Sequence, residues 1–308
     1  MRRGGAVESP RFSTGRGRLT VKGVAINAAR RIRDIGRPTW NIRLGRYTIW
    51  QHLSRLYYSL SMAPQSVHLP WGHTLWFPKG FSGRLEYLAG NYEPELIQLV
   101  KERVHQGITV VGGGANIRYY TLLFSHLVSA SGAVYAFEPD PLMYQAILKN
   151  ISENALTNVK AYECALGCAA GVESFVAEGG VSSRLSTETQ PYGQLISVQV
   201  VALSNLLQAA ESIDFVKLDV EGAAIECLEG IRNIIQRNPN ISVVLEINLN
   251  WLRLEANVLF SRLKAFGFEK IYAIEPCIHV ENGKELSNMF DSLAAQRKYV
   301  FYLLCTRR

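Results

Sequence analysis

From residue 107 onward the chain repeats one pattern. A short apolar, β-branched run is followed by a turn, then by a stretch with apolar residues three and four apart. The runs predict strands near 108–111, 133–137, 159–163, 214–218, 242–246, 270–274 and 299–305. The helical spacings predict helices near 118–129, 140–154, 223–236 and 251–265. Asp140 and Pro141 suit the cap and first position of the second of these. Between the third and fourth strands, Gly171–Ala177 and Ile196–Val201 predict a hairpin-like excursion carrying the Val181–Arg184 loop. Such alternation predicts a doubly wound, mostly parallel α/β sheet covered on both faces. The last two strands lack a convincing crossover helix, which predicts an antiparallel edge.

Ahead of this core the pattern changes. Residues 44–61 place Ile49, Leu53, Leu56, Tyr57 and Leu60 on one helical face, which reads as a packing surface. Ser66–Leu69 and Thr74–Phe77, split by Pro-Trp-Gly, predict a short β pair, and Pro94–Arg103 predicts a helix with proline at its first position. Three segments follow: a basic, flexible extension over 1–47, a cap of lead-in helices and hairpin over 48–95, and the α/β domain over 96–308.

Composition narrows the class. Apolar residues make up 48% of the 308 and charged residues 19%, so a packed core is expected rather than disorder. No apolar run approaches the roughly 20 residues that span a bilayer, and no apolar segment follows the first arginines as in a cleaved secretion signal. A cytoplasmic protein is expected. The five cysteines are odd in number and scattered, which suits free thiols in a reducing compartment. Cys164 and Cys168 lack a second ligand pair, so no metal site is expected. Charge is lopsided: residues 1–47 carry twelve Arg/Lys against Glu8 and Asp34, a net of +10, while the remainder carries a net of −3. The basic character therefore belongs to the extension, which is solvated and suited to weak contact with nucleic acid or anionic lipid. An Arg-rich, acid-poor stretch also suits organelle targeting, although serines are few.

The chemistry concentrates where strands end. Val110–Gly114 runs from a strand into a glycine-dense turn, and Val134–Asp140 is a second strand ending in Glu138 about 25 residues on. Strand, glycine turn, helix and acidic strand end form a nucleoside-binding layout. Glycine lets backbone N–H groups and a helix N-terminus come close to a ligand, and a carboxylate can accept from both hydroxyls of a ribose. The fourth strand ends in Asp219-Val-Glu221-Gly222, two carboxylates at a helix start. A dinucleotide fingerprint needs a third glycine where Ile117 stands, which argues against hydride transfer. Base methylation on nucleic acid wants an Asn/Asp-Pro-Pro-aromatic run after the fourth strand, and here that place reads Asp-Val-Glu-Gly. Pro276-Cys277 resembles the nucleophile of cytosine C5 enzymes but falls after the sixth strand.

Taken together, Gly114-Ala-Asn-Ile-x-Tyr-Tyr-Thr121, Val134–Pro141, Ala165-Leu-Gly167, Lys217-Leu-Asp-Val-Glu-Gly-Ala223 and Leu245-Glu246 resemble the FkbM-type S-adenosylmethionine-dependent methyltransferases. Asn91-Tyr-Glu-Pro-Glu95 resembles that family's lead-in, and the likeness spans roughly residues 88–250. It implies a class I methyltransferase sheet with an antiparallel last strand, S-adenosylmethionine as cofactor, and methyl transfer to an oxygen of a sugar, glycan or natural product. The implied cofactor residues are Gly112, Gly114, Ala115 and Asn116 at the methionine part, Glu138 with Pro139 at the ribose, Ala165 beside the adenine, and Asp219 near the amino group. Glu221 is the expected base, with Asp219 beside it, and Ser182, Ser183 and Glu246 are expected on the acceptor side. A small-molecule or glycan acceptor is expected, and no specific nucleic acid. Two departures stand out: Gly112 replaces the family's acid, and Arg118 replaces its glycine. They leave open a protein that binds the cofactor without turnover. Glu226 lies two residues beyond the position, held by Ala224, where the family has glutamate.

Overall fold

The computed structural model describes residues 66–78, 81, 87, 92–115, 119–177, 194–207, 212–220, 222–252, 254–274 and 278–307, with the backbone of 43–44, 47–48 and 184–185. The chain divides into two units, residues 1–63 and 64–308. In the first, β1 (Arg43–Leu44) pairs antiparallel with β2 (Tyr47–Thr48). A helix beginning at residue 44 is therefore corrected: two residues each of Arg43–Leu44 and Tyr47–Thr48 are extended, and the rest of the 44–61 pattern lies outside the described residues.

The second unit opens with the hairpin β3 (Ser66–His68) and β4 (Thr74–Trp76), followed by α1 (Pro94–Arg103). Then come β5 (Thr109–Gly113), α2 (Tyr119–Val128), β6 (Ala133–Phe137), α3 (Pro141–Glu153) and β7 (Val159–Tyr162). The excursion comprises β8 (Ala165–Leu166), β9 (Gly171–Ala177), β10 (Arg184–Leu185) and β11 (Gln194–Val201), after which α4 (Leu203–Leu206) leads to β12 (Phe215–Leu218). The chain closes with α5 (Ala224–Gly230), α6 (Arg232–Arg237), β13 (Ser242–Asn248), α7 (Ala256–Ala265), β14 (Lys270–Ala273), β15 (Ile278–His279), α8 (Gly283–Ala295) and β16 (Val300–Thr306).

Eight strands form the central sheet in the order β15-β14-β16-β13-β12-β5-β6-β7. The run from β13 through β12, β5 and β6 to β7 is parallel, and β16 lies antiparallel between β13 and β14. The last two predicted strands do pair antiparallel at that end of the sheet, but the short β15 forms the edge and β16 is interior. Its connection is α8, a helix unforeseen from periodicity although Asn282 caps it by accepting from the Glu285 N–H at 3.0 Å. Asn followed three residues later by Glu is a helix-start signature, and Glu285 Oε2 accepts in turn from the Glu281 N–H.

Both faces of the sheet are buried. Val111, Val216, Leu218, Val243 and Leu245 face a cluster with α5 to α8, whereas Val110, Phe215, Val244 and Leu304 face α1 and α2. Alternation along fully buried strands explains why they read as continuous apolar runs. The helix anticipated over 223–236 is broken into α5 and α6 at Ile231. Within α5, a Cβ on Gly230 would lie 1.9 Å from the Gly167 carbonyl oxygen, so α5 presses backbone against the strand-end loop.

Two asparagines one turn apart, Asn150 on α3 and Asn154 at its C-cap, dock the hairpin. Asn150 Oδ1 accepts from the Trp76 N–H at 2.8 Å while its Nδ2 donates to the Trp76 carbonyl at 3.0 Å. Asn154 does the same for Thr74, at 2.7 and 2.8 Å. The helix thereby supplies the hydrogen-bond partners a neighbouring strand would give to the β4 edge.

Alanine normally stabilises a helix by about 1 kcal/mol relative to glycine. Gly230→Ala is expected to do the opposite, lowering unfolding free energy by about 1–3 kcal/mol through overpacking. Gly171→Ala, whose Cβ meets nothing within 4 Å, is expected to stay within about 0.5 kcal/mol. Denaturant unfolding of both variants measures the difference.

Candidate active site

A small cleft opens at the carboxyl ends of β5 and β12. Its floor is Gly112–Ala115, its aromatic wall is Tyr87, Tyr92, Tyr119 and Tyr120, and Lys217 and Asp219 reach it from β12. That is where open parallel sheets hold ligands.

The floor has a steric reason. Gly114 adopts φ +70°, and a Cβ there would sit 1.8 Å from the Asp219 carbonyl oxygen. The Asp219 N–H donates to the Gly113 carbonyl at 3.0 Å, which continues the β5–β12 pairing into the turn. The N–H groups of Gly114 and Ala115 both donate to the Phe137 carbonyl at 3.0 Å. The turn therefore clamps β5 to β6 with donors that the sequence suggested for a ligand. At Gly112, by contrast, a Cβ would meet only Phe124, at 3.9 Å, so no contact demands glycine.

Opposite Gly112 in the β5–β12 register stands Lys217, a lysine in the middle of a buried strand. Its Nζ donates to Asp219 Oδ2 at 2.7 Å and lies 4.6 and 5.6 Å from the ring centres of Tyr120 and Tyr302. Tyr120 and Tyr302 each donate a hydroxyl to Glu93, at 2.6 Å, and the Tyr302 hydroxyl also lies 3.2 Å from Glu246 Oε2. Burial alone would push the Lys217 ammonium down, but the Asp219, Glu93 and Glu246 carboxylates leave it above the ordinary lysine range. Burial and the Glu93 carboxylate hold the Tyr120 phenol far above its usual range; burial with Glu246, Asp219 and Glu93 does so for Tyr302. Tyr119, half-buried and near Glu93, is pushed up to about 12.

The other expected residues are placed as follows. Glu138 is buried at the end of β6, and its Oε1 accepts from the Asp140 N–H at 2.8 Å. Pro139 follows it in the loop, and Asp140, whose Oδ1 accepts from the N–H groups of Leu142 and Met143, is the cap of α3. Ala165 packs with Phe175, Val198 and Val200 in the small sheet. Glu246 stands at the end of β13. Asn116, Arg118, Ser182, Ser183, Glu221 and Cys277 lie outside the described residues, as does nearly all of the basic extension. His68 lies 3.1 Å from the Thr74 hydroxyl, and His73 packs edge-on against His126. Among the described residues no group of three His, Cys, Asp or Glu could hold a metal ion. Cys164, Cys168, Cys227 and Cys305 are free thiols. Glu93 and Tyr120 fall inside the Asn91–Glu95 and Gly114–Thr121 motifs but were given no site role there, and Tyr302 lies in no motif.

A parallel β7-β6-β5-β12-β13 run with an antiparallel strand inserted before β14 defines the class I methyltransferase fold. Residues 112–270 match the methyltransferase FkbM domain, and the chain belongs to that family, whose cofactor is S-adenosylmethionine. The protein is similar to Methyltransferase sdnD of Sordaria araneosa, 30% identical over 155 residues, or 40% of this chain. The match spans about 60% of that relative's length. Among solved structures, a SAM-dependent methyltransferase from Aquifex aeolicus aligns with 68% of this chain and 87% of its own, at 14% identity and a TM-score of 0.38. Precorrin-6y C5,15-methyltransferase from Geobacter metallireducens aligns with 70% and 88%, at 14% identity and a TM-score of 0.40. No described helix is long and apolar enough to cross a membrane.

The residues present fit the family's cofactor. The cleft sits beyond the carboxyl ends of parallel strands, where sheets of this kind hold nucleosides. The Gly114 turn leaves its floor free of side chains, Asp219 offers a carboxylate, and Glu138 stands one strand away across β5.

The buried phenols carry a pH signature. A tyrosine whose folded pKa exceeds its unfolded value near 10 keeps a proton that the unfolded chain releases. Its contribution is complete below about pH 10 and lost as pH rises, by up to ~1.4 kcal/mol per pH unit per group. Unfolding free energies across pH 8–11 are expected to fall above pH 10, with Tyr302→Phe shallower by about one proton's slope.

Proposed function

We propose that the protein methylates a hydroxyl oxygen of a sugar, glycan or natural product, in the cytoplasm. The observation that carries this reading is Asp219 on the cleft, tied at 2.7 Å to a buried lysine. Bound in the cleft, S-adenosylmethionine supplies a methyl group made electrophilic by a sulfonium. What the chain must add is alignment of the acceptor and removal of the hydroxyl proton.

The 2.7 Å contact with Lys217 fixes the Asp219 carboxylate at the cleft, where it takes the cofactor's ammonium group. Glu221, two residues on at the same strand end, takes the base role, and Glu246 contacts the acceptor. Gly112–Ala115 and Asn116 lie along the methionine part, while Glu138 with Pro139 takes the ribose and Ala165 borders the adenine. Ser182 and Ser183, on the excursion loop, complete the acceptor side. A hydroxyl acceptor fits carboxylate base chemistry, and the Asp-Val-Glu-Gly run lacks the residues that hold a flipped base. The basic extension adds weak contact with anionic surfaces.

A second reading has its own observation. Gly112 leaves Lys217 without the carboxylate that the family places beside it, as expected in a protein that binds the cofactor but does not turn over.

Purified protein, S-adenosylmethionine and a panel of hydroxyl-bearing sugars and phenols decide between them, with release of the demethylated cofactor as readout. Glu221→Gln is expected to lower turnover about 10²–10⁴-fold while changing cofactor affinity less than about twofold. Undiminished turnover would remove Glu221 as base. Calorimetric binding without transfer to any acceptor would favour the second reading, and a methylated nitrogen or carbon would overturn oxygen transfer.

A further inference from the structure

Among the described residues, four non-glycine residues have left-handed backbone: Glu93, Ser129, Ala155 and Arg297. The last three follow α2, α3 and α8, where a left-handed residue closes a helix. Glu93 instead precedes one. It is the N-cap of α1 at φ 39°, ψ 58°, it makes no side-chain cap bond, and Pro94 follows it. The residue before proline ordinarily favours extended backbone, and a left-handed conformation there is strained. Something outside α1 holds it there.

That something is the pair of tyrosines. Glu93 Oε2 accepts from Tyr120 on α2 and Oε1 from Tyr302 on β16, both at 2.6 Å. Tyr120 and Tyr302 are the two rings beside the Lys217 ammonium. Tyr302 reaches Glu246 as well. Glu93 thus spends its whole carboxylate on fixing the two aromatic groups around the Lys217–Asp219 pair, and its neighbour Tyr92 lines the cleft. An acid that served only α1 would bond the open N–H groups of that helix.

We propose that Glu93 is a positioning residue for the methionine end of the cofactor cleft. Through Tyr120 and Tyr302 it fixes the Lys217 ammonium, and through that ammonium the Asp219 carboxylate. This rests on the assignment of Asp219 to the cofactor's amino group.

Two ligands separate positioning from a general loss of structure. S-adenosylhomocysteine carries the amino-acid end; 5′-methylthioadenosine has the same nucleoside without it. Calorimetry is run with both on the full chain and on Glu93→Gln, Tyr120→Phe and Tyr302→Phe. Glu93→Gln is expected to weaken S-adenosylhomocysteine binding about tenfold or more, the scale of a lost hydrogen bond to a charged group. It is expected to leave 5′-methylthioadenosine within about twofold. The two phenylalanine variants keep their rings and are expected to show the same selectivity more weakly, so the outcome does not depend on Glu93→Gln folding. Equal weakening of both ligands, or of neither, would overturn the proposal. A wild-type chain that binds 5′-methylthioadenosine but not S-adenosylhomocysteine more tightly would instead remove the Asp219 assignment. One that binds neither would remove the nucleoside cleft, and with it this role.

Discussion

An ammonium group in the middle of a buried β-strand is the constraint around which the carboxyl end of this sheet is organised. Taking Lys217 out of water costs several kcal/mol unless anions and hydrogen bonds surround it. β12 lies between β5 and β13, and Lys217 is only 4% exposed. The compensation comes from five parts of the chain: Asp219 just past β12, Glu246 on β13, Tyr302 on β16, Glu93 ahead of α1 and Tyr120 on α2. Meeting that one electrostatic demand brings three carboxylates and two phenols to the place where a nucleoside site of this fold lies. Structural necessity and candidate chemistry share the same atoms.

Glycines do the complementary work of keeping backbone close. Gly114 lets the β5 turn rest against the Asp219 carbonyl, and Gly230 lets α5 rest against Gly167. Gly112 differs, because nothing crowds it. Its missing side chain leaves room beside Lys217 where the family has an acid, and the carboxylates that act on the ammonium are Asp219, Glu93 and Glu246. A Cβ at Gly112 would meet only Phe124, so the departure requires no distortion of the fold.

Periodicity was a good guide wherever burial alone shapes an element. β6 occupies 133–137 as read, and α1 and α3 begin at the prolines that mark them. It failed where the deciding contact is tertiary. The amphipathic α8 was overlooked despite its Asn282–Glu285 start, and with it the interior place of β16. The 223–236 pattern gave no sign of a break, since the close approach of Gly230 to Gly167 involves residues some sixty positions apart. Asn150 and Asn154 looked like ordinary polar helix positions, yet they complete the edge of β4.

For the site, residue types in order along the chain were enough to determine the strand-end acids, the glycine turn and the family, because each is a local pattern read at a strand terminus. Tyr302, and its association with Glu93 and Tyr120, could not be found that way. The hydroxyl of Tyr302 meets a carboxylate 209 residues earlier in the chain, and no spacing rule relates them. Their meeting depends on where α1, α2 and β16 pack on the sheet, and on a buried cation whose need for partners exists only once the fold has excluded water.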